Sequence, residues 1–160
     1  MAVDYPLLQK QLEALATADR DPLALSANFV ALLYSEMPAI NWLGIYVARG
    51  NELVLGPFQG LPACVRIPFG QGVCGTAAVE AATQRVADVH AFAGHITCDP
   101  ASNAELVVPL IAENGVIGVL DIDSPQNDRF TAEDQSGVES LCRTFVDRLL
   151  LDARPDAGFI

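Results

Sequence analysis

The sequence is poor in positive charge. Its 160 residues include nine Lys and Arg against twenty Asp and Glu, which gives a net charge of -11. Proteins that bind nucleic acid or anionic membranes use clustered basic side chains, and this sequence has no basic patch. The charge balance therefore argues against both partners, and it is compatible with a small-molecule substrate.

The sequence also lacks a long apolar run. Half of its residues are apolar (51%), yet no stretch approaches the roughly 18 consecutive apolar residues that predict a membrane span. The N-terminus shows no basic segment followed by an apolar one, which is the pattern of an export signal. We therefore expect a soluble cytoplasmic protein with one domain over residues 1–160, in which residues 1–4 and 154–160 are frayed ends.

Apolar spacing and capping residues predict three longer helices. Leucines recur at helical spacing over residues 5–17. Asp21 as N-cap and Pro22 at the first helical position begin a second helix that extends to about Glu36. Thr131 caps the last helix, which extends to about residue 152, and Asp134 completes a weak capping box.

The middle of the chain predicts a sheet. Apolar or alternating segments indicate a short helix at 73–82 and strands at 42–47, 52–56, 63–67, 105–111 and 116–123. Residues 84–104 are predicted to be irregular, and Glu113-Asn114-Gly115 is a strong hairpin signal. This order predicts an α+β fold, with helices packed on a central antiparallel sheet, rather than alternating βαβ units.

The cysteines point to thiol chemistry, because cytosolic cysteines are more often catalytic or metal-binding than structural. Cys142 falls on the apolar face of the last helix and is expected to be a core residue. Cys64 shares one face of a short predicted strand with Arg66. Cys74 lies in the first turn of a helix, where the helix dipole would lower its pKa. Cys98 lies in an irregular segment, and loops carry chemistry more often than packing.

Two motifs carry rival interpretations. His95-x-x-Cys98 is a plausible pair of zinc ligands, but the sequence offers no second Cys-x-x-Cys or Cys-x-x-His pair. Residues 70–75 match a dinucleotide-binding fingerprint, but the neighbouring strands predict a hairpin rather than the βαβ unit that this fingerprint requires. We interpret these glycines as a tight turn beneath a pocket.

An acidic pair lies on the last predicted strand. Asp121 and Asp123 alternate along it, so both side chains leave the same face of the sheet. Either they are solvated beyond the sheet edge, or they form a partly buried pair in which repulsion and desolvation raise at least one pKa.

The hairpin register decides whether Glu105 joins this pair. A two-residue Asn-Gly loop would pair Glu113 with Val116 and place Glu105 on the opposite face. A three-residue Glu-Asn-Gly loop, with its glycine left-handed, would pair Ala112 with Val116 and set Glu105 opposite Asp123, with the side chains ~5 Å apart. The sequence leaves both registers open.

Two aromatic residues also share a face. Trp42 and Tyr46 lie on the first predicted strand with Gly44 between them. They are either ordinary core residues or an aromatic wall whose gap at Gly44 suits a thioether or methyl group.

Taken together, residues 40–150 resemble the free methionine-(R)-sulfoxide reductases, enzymes built on a single GAF domain. Three cysteine motifs in the same order, followed by an Asp-x-Asp strand, make the resemblance specific. The matching segments include Asn41-Trp42-Leu43-Gly44-Ile45-Tyr46, Ala63-Cys64-Val65-Arg66-Ile67, Gly72-Val73-Cys74-Gly75-Thr76, Cys98-Asp99, Ser102, Glu105 and Gly118-Val119-Leu120-Asp121-Ile122-Asp123-Ser124.

The resemblance implies a role for three of the thiols. Cys98 matches the nucleophile, Cys64 matches the resolving cysteine, and Cys74 matches a third thiol that can join disulfide exchange. Thr97 and Ala93 depart from the family pattern, and neither change removes a reacting group.

The resemblance also implies a substrate pocket. Glu105, Asp121 and Asp123 match the carboxylates that hold the sulfoxide, and Trp42 and Tyr46 match its aromatic wall. A clustered carboxylic acid that stays neutral at pH 7 could protonate the sulfoxide oxygen, which is otherwise a poor leaving group.

The implied reaction is the thiol-dependent reduction of free L-methionine (R)-sulfoxide to L-methionine. It passes through a cysteine sulfenic acid and an intramolecular disulfide, and an external dithiol such as thioredoxin restores the enzyme. No metal or organic cofactor is needed. The alternative is a ligand-sensing GAF module without catalysis, in which the cysteines would have no purpose. The terminal helices could form the face of a homodimer.

Overall fold

The computed structural model describes residues 2–151, which form a six-stranded antiparallel sheet with helices packed on it. The strands lie in the spatial order β3-β2-β1-β6-β5-β4. In chain order the elements are α1 (Tyr5–Ala18), α2 (Pro22–Glu36), β1 (Trp42–Arg49), β2 (Glu52–Gln59), β3 (Arg66–Pro68), α3 (Gly72–Glu80), β4 (Gln84–Val86), β5 (Ala104–Ala112), β6 (Gly115–Ser124) and α4 (Ala132–Leu150). The predicted α+β fold is confirmed.

The two faces of the sheet bury different side chains, because successive residues of a strand point to opposite faces. One face carries Leu43 and Ile45 of β1 and packs against α2 and α4, and α1 packs on these two helices to complete the larger apolar core. The opposite face carries Trp42 and Tyr46 of the same strand and packs against α3 and the segment between β4 and β5. The second face is therefore the one that holds the predicted site residues.

The longer helices begin where their capping residues predict. The Asp21 carboxylate accepts a hydrogen bond from the Ala24 N–H (2.9 Å) at the start of α2. Thr131 and Asp134 form the capping box of α4, in which each side chain accepts a hydrogen bond from the backbone N–H of the other. Asp4, within the predicted frayed end, caps α1. The other predicted frayed end, 154–160, lies outside the described residues.

The third strand differs from the prediction. It is confined to Arg66–Pro68, so Cys64 lies in the preceding loop and shares no strand face with Arg66. The reason is that two side chains of β1 hold this loop by hydrogen bonds across the face of the sheet. The Trp42 indole N–H donates to the Leu61 carbonyl (3.0 Å), and the Tyr46 hydroxyl donates to the Cys64 carbonyl (2.9 Å).

The segment 84–104 is also more regular than predicted. It begins with the three-residue strand β4, which pairs with β5 at the edge of the sheet, and continues with a short 3-10 helix at Val89–Ala91. A strand this short shows no hydrophobic periodicity, so the sequence pattern misses it. Within residues 2–151, no helix combines the length and apolar character needed to cross a membrane.

The β5–β6 hairpin turns through two residues. Ala112 pairs with Gly115, so Glu113 and Asn114 form the loop and Gly115 already belongs to β6. Gly115 has a φ of 121°, which glycine adopts readily and other residues rarely do. Neither of the two loops expected from the sequence, Asn-Gly or Glu-Asn-Gly, is present.

A β-bulge then sets the register of the acidic side chains. The pairing shifts after Leu110, and Ile117 is the extra residue of β6. Beyond the bulge, Glu105 pairs directly with Asp123. Glu105 therefore lies on the same face as the aspartates. The cause of this register is the bulge and not a three-residue loop.

Candidate active site

Three carboxyl groups meet on the sheet face that α3 covers. Glu105 of β5 and Asp121 and Asp123 of β6 are buried, with 7%, 6% and 8% of their surface exposed. Burial is the main reason why the pKa of each carboxyl group lies well above its usual value, and the charge of a neighbouring carboxylate raises each one further. The aspartates are therefore a buried acid cluster rather than a solvated sheet edge.

The cluster has the chemistry of a proton donor. Carboxyl groups that interact this closely titrate as a group, so their protons belong to the cluster more than to one residue. A raised pKa lets the cluster retain a proton at higher pH than a free carboxyl group would, and a neutral carboxyl group can donate it. Asp121 Oδ1 is buried and has no hydrogen-bond partner within the described residues, so the cluster retains an acceptor for a bound molecule.

A polar chain connects the cluster to the segment that carries Cys98. The Asn41 side-chain amide donates to Asp99 Oδ2 (3.0 Å) and to Ser102 Oγ (3.1 Å). The hydrogen bond from Ser102 to Asp123 opposes the effect of burial on the pKa of Asp123. Because Asp99 directly follows Cys98, Asn41 holds the Cys98 segment beside the acids.

His95 also approaches the cluster. Its Nε2 lies 3.6 Å from Glu105 Oε2, and burial lowers the pKa of His95, which favours the neutral imidazole. The sequence indicates His95 only as a zinc ligand, and it assigns no role to Asn41 or Ser102, although both lie in the segments that carry the resemblance. Each is a polar side chain near a strand end or in a loop, and that signal is too common to identify a site.

Cys64 and Cys98 form a disulfide. Their Cα atoms are 5.4 Å apart, although 34 positions separate them in the sequence. Cys98 lines a cavity of about 30 Å³ whose other walls include the three carboxyl groups, Cys74 and His95. In this state Cys98 has no free thiol, so the zinc pair His95-x-x-Cys98 considered from the sequence is not available.

Trp42 and Tyr46 form an aromatic wall beside the disulfide. Their ring centroids are 5.9 Å apart, and both residues line a second small cavity together with Cys98 and two acids of the cluster. Burial raises the pKa of Tyr46, followed by the nearby charge of Asp121. The hydroxyl therefore stays protonated and donates to the Cys64 carbonyl.

The gap predicted at Gly44 is absent. A Cβ at this position would lie 2.4 Å from the Trp42 indole and 2.5 Å from the Phe58 Cβ, so these side chains already fill the space. The indole also stacks on the Phe58 ring, with centroids 5.4 Å apart. Glycine at position 44 lets Trp42 lie flat against the sheet, and it does not provide a binding pocket.

The two other cysteines are free and buried. Cys74 lies in the first turn of α3 as predicted, but its pKa is raised well above the usual value instead of lowered. Burial and the charges of Asp121 and Glu105 outweigh the helix dipole. One donor atom from each of Cys74, Glu105 and Asp121 lies within 4.8 Å of the others, a set that could hold a metal ion. Cys142 belongs to the apolar core, as predicted.

The chain matches known proteins over most of its length. The family model of the GAF domain matches residues 13–147. A free methionine-R-sulfoxide reductase from Escherichia coli is 53% identical over 137 residues, which cover 86% of this chain and 83% of that protein. The structure of fRMsr of Staphylococcus aureus in complex with substrate has a TM-score of 0.88 at 47% identity, covering 93% of this chain and 97% of that one. The free methionine-R-sulfoxide reductase from Neisseria meningitidis in complex with its substrate has a TM-score of 0.88 at 38% identity, covering 93% and 92%.

Proposed function

Because the chain belongs to the GAF domain family and is closely related to the free methionine-R-sulfoxide reductases, we propose that its buried acids and its Cys64–Cys98 disulfide form the active site of such an enzyme. The protein reduces free methionine (R)-sulfoxide to methionine through its cysteines. The observation that carries the assignment of residues is that Cys98 borders both the acid cluster and the aromatic wall.

Cys98 is the nucleophile in this proposal. Its thiolate attacks the sulfoxide sulfur while a neutral carboxyl group of the acid cluster protonates the sulfoxide oxygen. The oxygen passes as hydroxyl from the substrate sulfur to the Cys98 sulfur, the bond between the two sulfur atoms breaks, and methionine leaves reduced by two electrons. Cys98 is oxidised by the same two electrons to a sulfenic acid that carries the oxygen, and the proton donor is left as a carboxylate.

Cys64 resolves the sulfenic acid. Its thiol condenses with the Cys98 sulfenic acid, which forms the disulfide and releases one water molecule. The Cα separation of 5.4 Å supports this pairing, because a disulfide requires such a distance. Cys74 lines the same cavity and could exchange with this disulfide, but its raised pKa keeps it as a slow, protonated thiol. Cys64 is therefore the main resolving cysteine.

The other site residues hold the substrate. The acid cluster of Glu105, Asp121 and Asp123 binds the sulfoxide oxygen. Trp42 and Tyr46 offer an apolar, polarisable surface to the S-methyl group. A sensor that only binds a ligand would need neither the disulfide nor the raised pKa values of the acids, so the catalytic function accounts for more of the site than the sensing alternative.

The disulfide must be reduced before another turnover. A dithiol protein such as thioredoxin can supply the two electrons by thiol–disulfide exchange, and we place the enzyme in the cytoplasm, where such dithiols act. The same proposal includes a homodimer, for which the exposed Leu7 of α1 and Leu23 of α2 provide apolar surface.

Turnover of the separate R and S epimers of free methionine sulfoxide tests the function. With dithiothreitol as reductant, we expect methionine to form from the R epimer and not from the S epimer. Without reductant, one equivalent of substrate should leave a Cys64–Cys98 disulfide with Cys142 free. No methionine from either epimer would refute the function, and peptide mapping of Cys142 into the main disulfide would refute the assignment of the thiols.

A further inference from the structure

The loop that carries Cys64 exposes apolar side chains on both sides of the disulfide. This loop, residues 60–65, contains no charged residue. Leu61 exposes 65% of its surface and Val65 exposes 60%, and among the large apolar residues of the range 2–151 none is more exposed than Leu61. Pro62 between them is exposed as well. The disulfide is therefore bordered by an uncharged, apolar surface.

The exposure of these side chains does not come from a loose backbone. The Leu61 and Cys64 carbonyl groups accept hydrogen bonds from Trp42 and Tyr46 of β1. Gly60 has a φ of 123° and lies so close to Trp42 that a Cβ would be 2.6 Å from the indole. The chain holds the 60–65 loop against the sheet and points its apolar side chains outward, an arrangement typical of a surface that binds another protein.

The two sulfur atoms of the disulfide have different surroundings. Cys98 lies on the wall of small cavities that it shares with Asp99, Asp121 and Asp123, and these cavities are too small to admit the active-site segment of a reductant protein. Cys64 lies in the uncharged 60–65 loop. A protein thiolate therefore reaches the Cys64 sulfur, in the loop with exposed Leu61 and Val65, more easily than the Cys98 sulfur.

We propose that the 60–65 loop is the docking surface for a reductant protein with a Cys-x-x-Cys dithiol, and that the reductant attacks the sulfur of Cys64. This inference rests on the proposed function, which produces the disulfide. It goes further by naming the surface that the reductant contacts and the sulfur that it attacks.

The reaction balances as a thiol–disulfide exchange. The reductant thiolate bonds to the Cys64 sulfur, the Cys64–Cys98 bond breaks, and Cys98 leaves as a thiolate. The second thiol of the reductant, as its thiolate, then attacks the reductant sulfur of the mixed disulfide and releases Cys64 as a thiolate, which takes up a proton. The reductant is oxidised by two electrons, and Cys98 is the first thiol to be set free for the next substrate.

A comparison of a protein reductant with a small-molecule reductant tests the docking surface. We expect Leu61→Ser/Val65→Ser to lower kcat/KM for thioredoxin by about tenfold or more, which is the effect of losing a central apolar contact. With dithiothreitol, which needs no docking surface, the same variant should keep its activity within about twofold, because neither side chain touches the acids. Ile111→Ser is the matched control, since Ile111 is 49% exposed at the far end of β5 and should leave both activities unchanged.

Trapping in the wild-type protein tests the attacked sulfur without any risk to folding. Thioredoxin whose second active-site cysteine is replaced by serine should accumulate as a mixed disulfide with Cys64, identified by peptide mapping. A mixed disulfide with Cys98, or an unchanged kcat/KM for thioredoxin in the double variant, would overturn the proposal.

Two further outcomes are distinguishable. If wild-type protein fails to reduce the substrate with dithiothreitol, the proposed function fails, and the docking proposal fails with it. If sedimentation shows a wild-type dimer that Leu61→Ser/Val65→Ser dissociates, the 60–65 loop contacts a second copy of the chain and the docking proposal is refuted.

Discussion

Glu105 and Asp123 pair directly across the two antiparallel strands of the β5–β6 hairpin, and both are buried. Opposite side chains in a sheet have Cβ atoms about 4.5–5.5 Å apart, and like charges at that distance destabilise the sheet. One proton shared across the pair removes the repulsion. The register of the hairpin therefore places a shared proton at the cavity that Cys98 lines, where the proposed reaction needs it.

The acid pair should control turnover. Glu105→Gln and Asp123→Asn are each expected to lower kcat for free methionine (R)-sulfoxide by at least ~10²-fold, the lower range for losing a general acid. Wild-type kcat/KM should fall as pH rises through the raised pKa values, because the reaction needs the protonated acid. Glu113→Gln, in the exposed hairpin loop, serves as the control and should be unaffected. Normal turnover by both acid variants would exclude the acids from the reaction.

The raised pKa values also predict how stability depends on pH. The pKa of Asp121 is higher in the folded protein than in the unfolded chain, so the folded state binds more protons and the free energy of unfolding falls as pH rises. Asp121→Asn removes this titration. Relative to wild type, the variant should therefore gain stability between pH 4.5 and pH 8, measured by urea unfolding of the oxidised proteins. A stability difference that is the same at both pH values would contradict burial as the cause.

Asp134 should show the opposite dependence of stability on pH, because folding lowers its pKa. Burial alone would raise the pKa of Asp134, but hydrogen bonds from Thr131 and Tyr5 and the charge of Arg129 lower it below its usual value. Its stabilising effect is present above the unfolded pKa and disappears as pH falls through the folded pKa. Asp134→Asn should thus cost about 1 kcal/mol of stability at pH 7. The cost should shrink as pH falls below the unfolded pKa, in contrast to Asp121→Asn.

Cys98 and Cys142 should behave oppositely when replaced. Cys98→Ser is expected to abolish methionine formation even in a single turnover, because serine is a poor nucleophile towards sulfur. Cys142→Ser should keep full activity and lower stability, since it places a hydroxyl in the apolar core. Rapid quench of one turnover measures the first effect, and urea unfolding measures the second. A full burst of methionine from Cys98→Ser would assign the nucleophile elsewhere.

Asn41 is expected to act as a positioning residue for the Cys98 segment. Asn41→Ala removes the hydrogen bonds to Asp99 and Ser102, and a displaced nucleophile should lower kcat by about tenfold or more with less effect on KM. Ser102 holds the pKa of Asp123 down. If loss of the Asn41 amide breaks the hydrogen bond from Ser102 to Asp123, the pKa of Asp123 should rise, and the alkaline limb of the pH–rate profile should move to higher pH.

A neighbouring residue controls for this effect. Asn103→Ala removes a hydrogen bond to the Pro125 carbonyl and leaves the chain from Asn41 to Asp123 intact, so it should not shift the pH–rate profile. If Asn41→Ala lowers stability but leaves both kcat and the pH–rate profile unchanged, Asn41 is only a structural residue.

Substrate size should separate free from peptide-bound methionine sulfoxide. The cavities beside Cys98 are small and lie between the sheet, the first turn of α3 and the Cys98 segment. A peptide-bound residue would have to pass two chain ends through these walls. We expect rapid reduction of the free amino acid and very slow reduction of an N-acetylated methionine sulfoxide amide, compared by kcat/KM. Equal values would contradict an enclosed pocket.

The sequence determined the parts of the fold that depend on local chemistry. Asp21 and Pro22 start α2, and Thr131 and Asp134 cap α4, because a cap needs only residues within one helical turn. The shared face of Asp121 and Asp123 follows from the two-residue period of a strand.

Only the tertiary structure decided where these residues meet and how they titrate. An unpaired Ile117 in β6 brings Glu105 opposite Asp123, and a bulge has no reliable signal in the sequence. Cys74 lies at the helix start that the sequence predicts, yet burial among acids raises its pKa, since desolvation depends on neighbours distant in the chain. The Cys64–Cys98 disulfide likewise joins two loops that are 34 positions apart in the sequence, and a hydrogen bond from Tyr46 holds the Cys64 loop across the sheet. Local sequence sets the helix starts and the face of each aspartate, whereas long-range packing sets the extent of β3, the register of the hairpin and the electrostatics of the site.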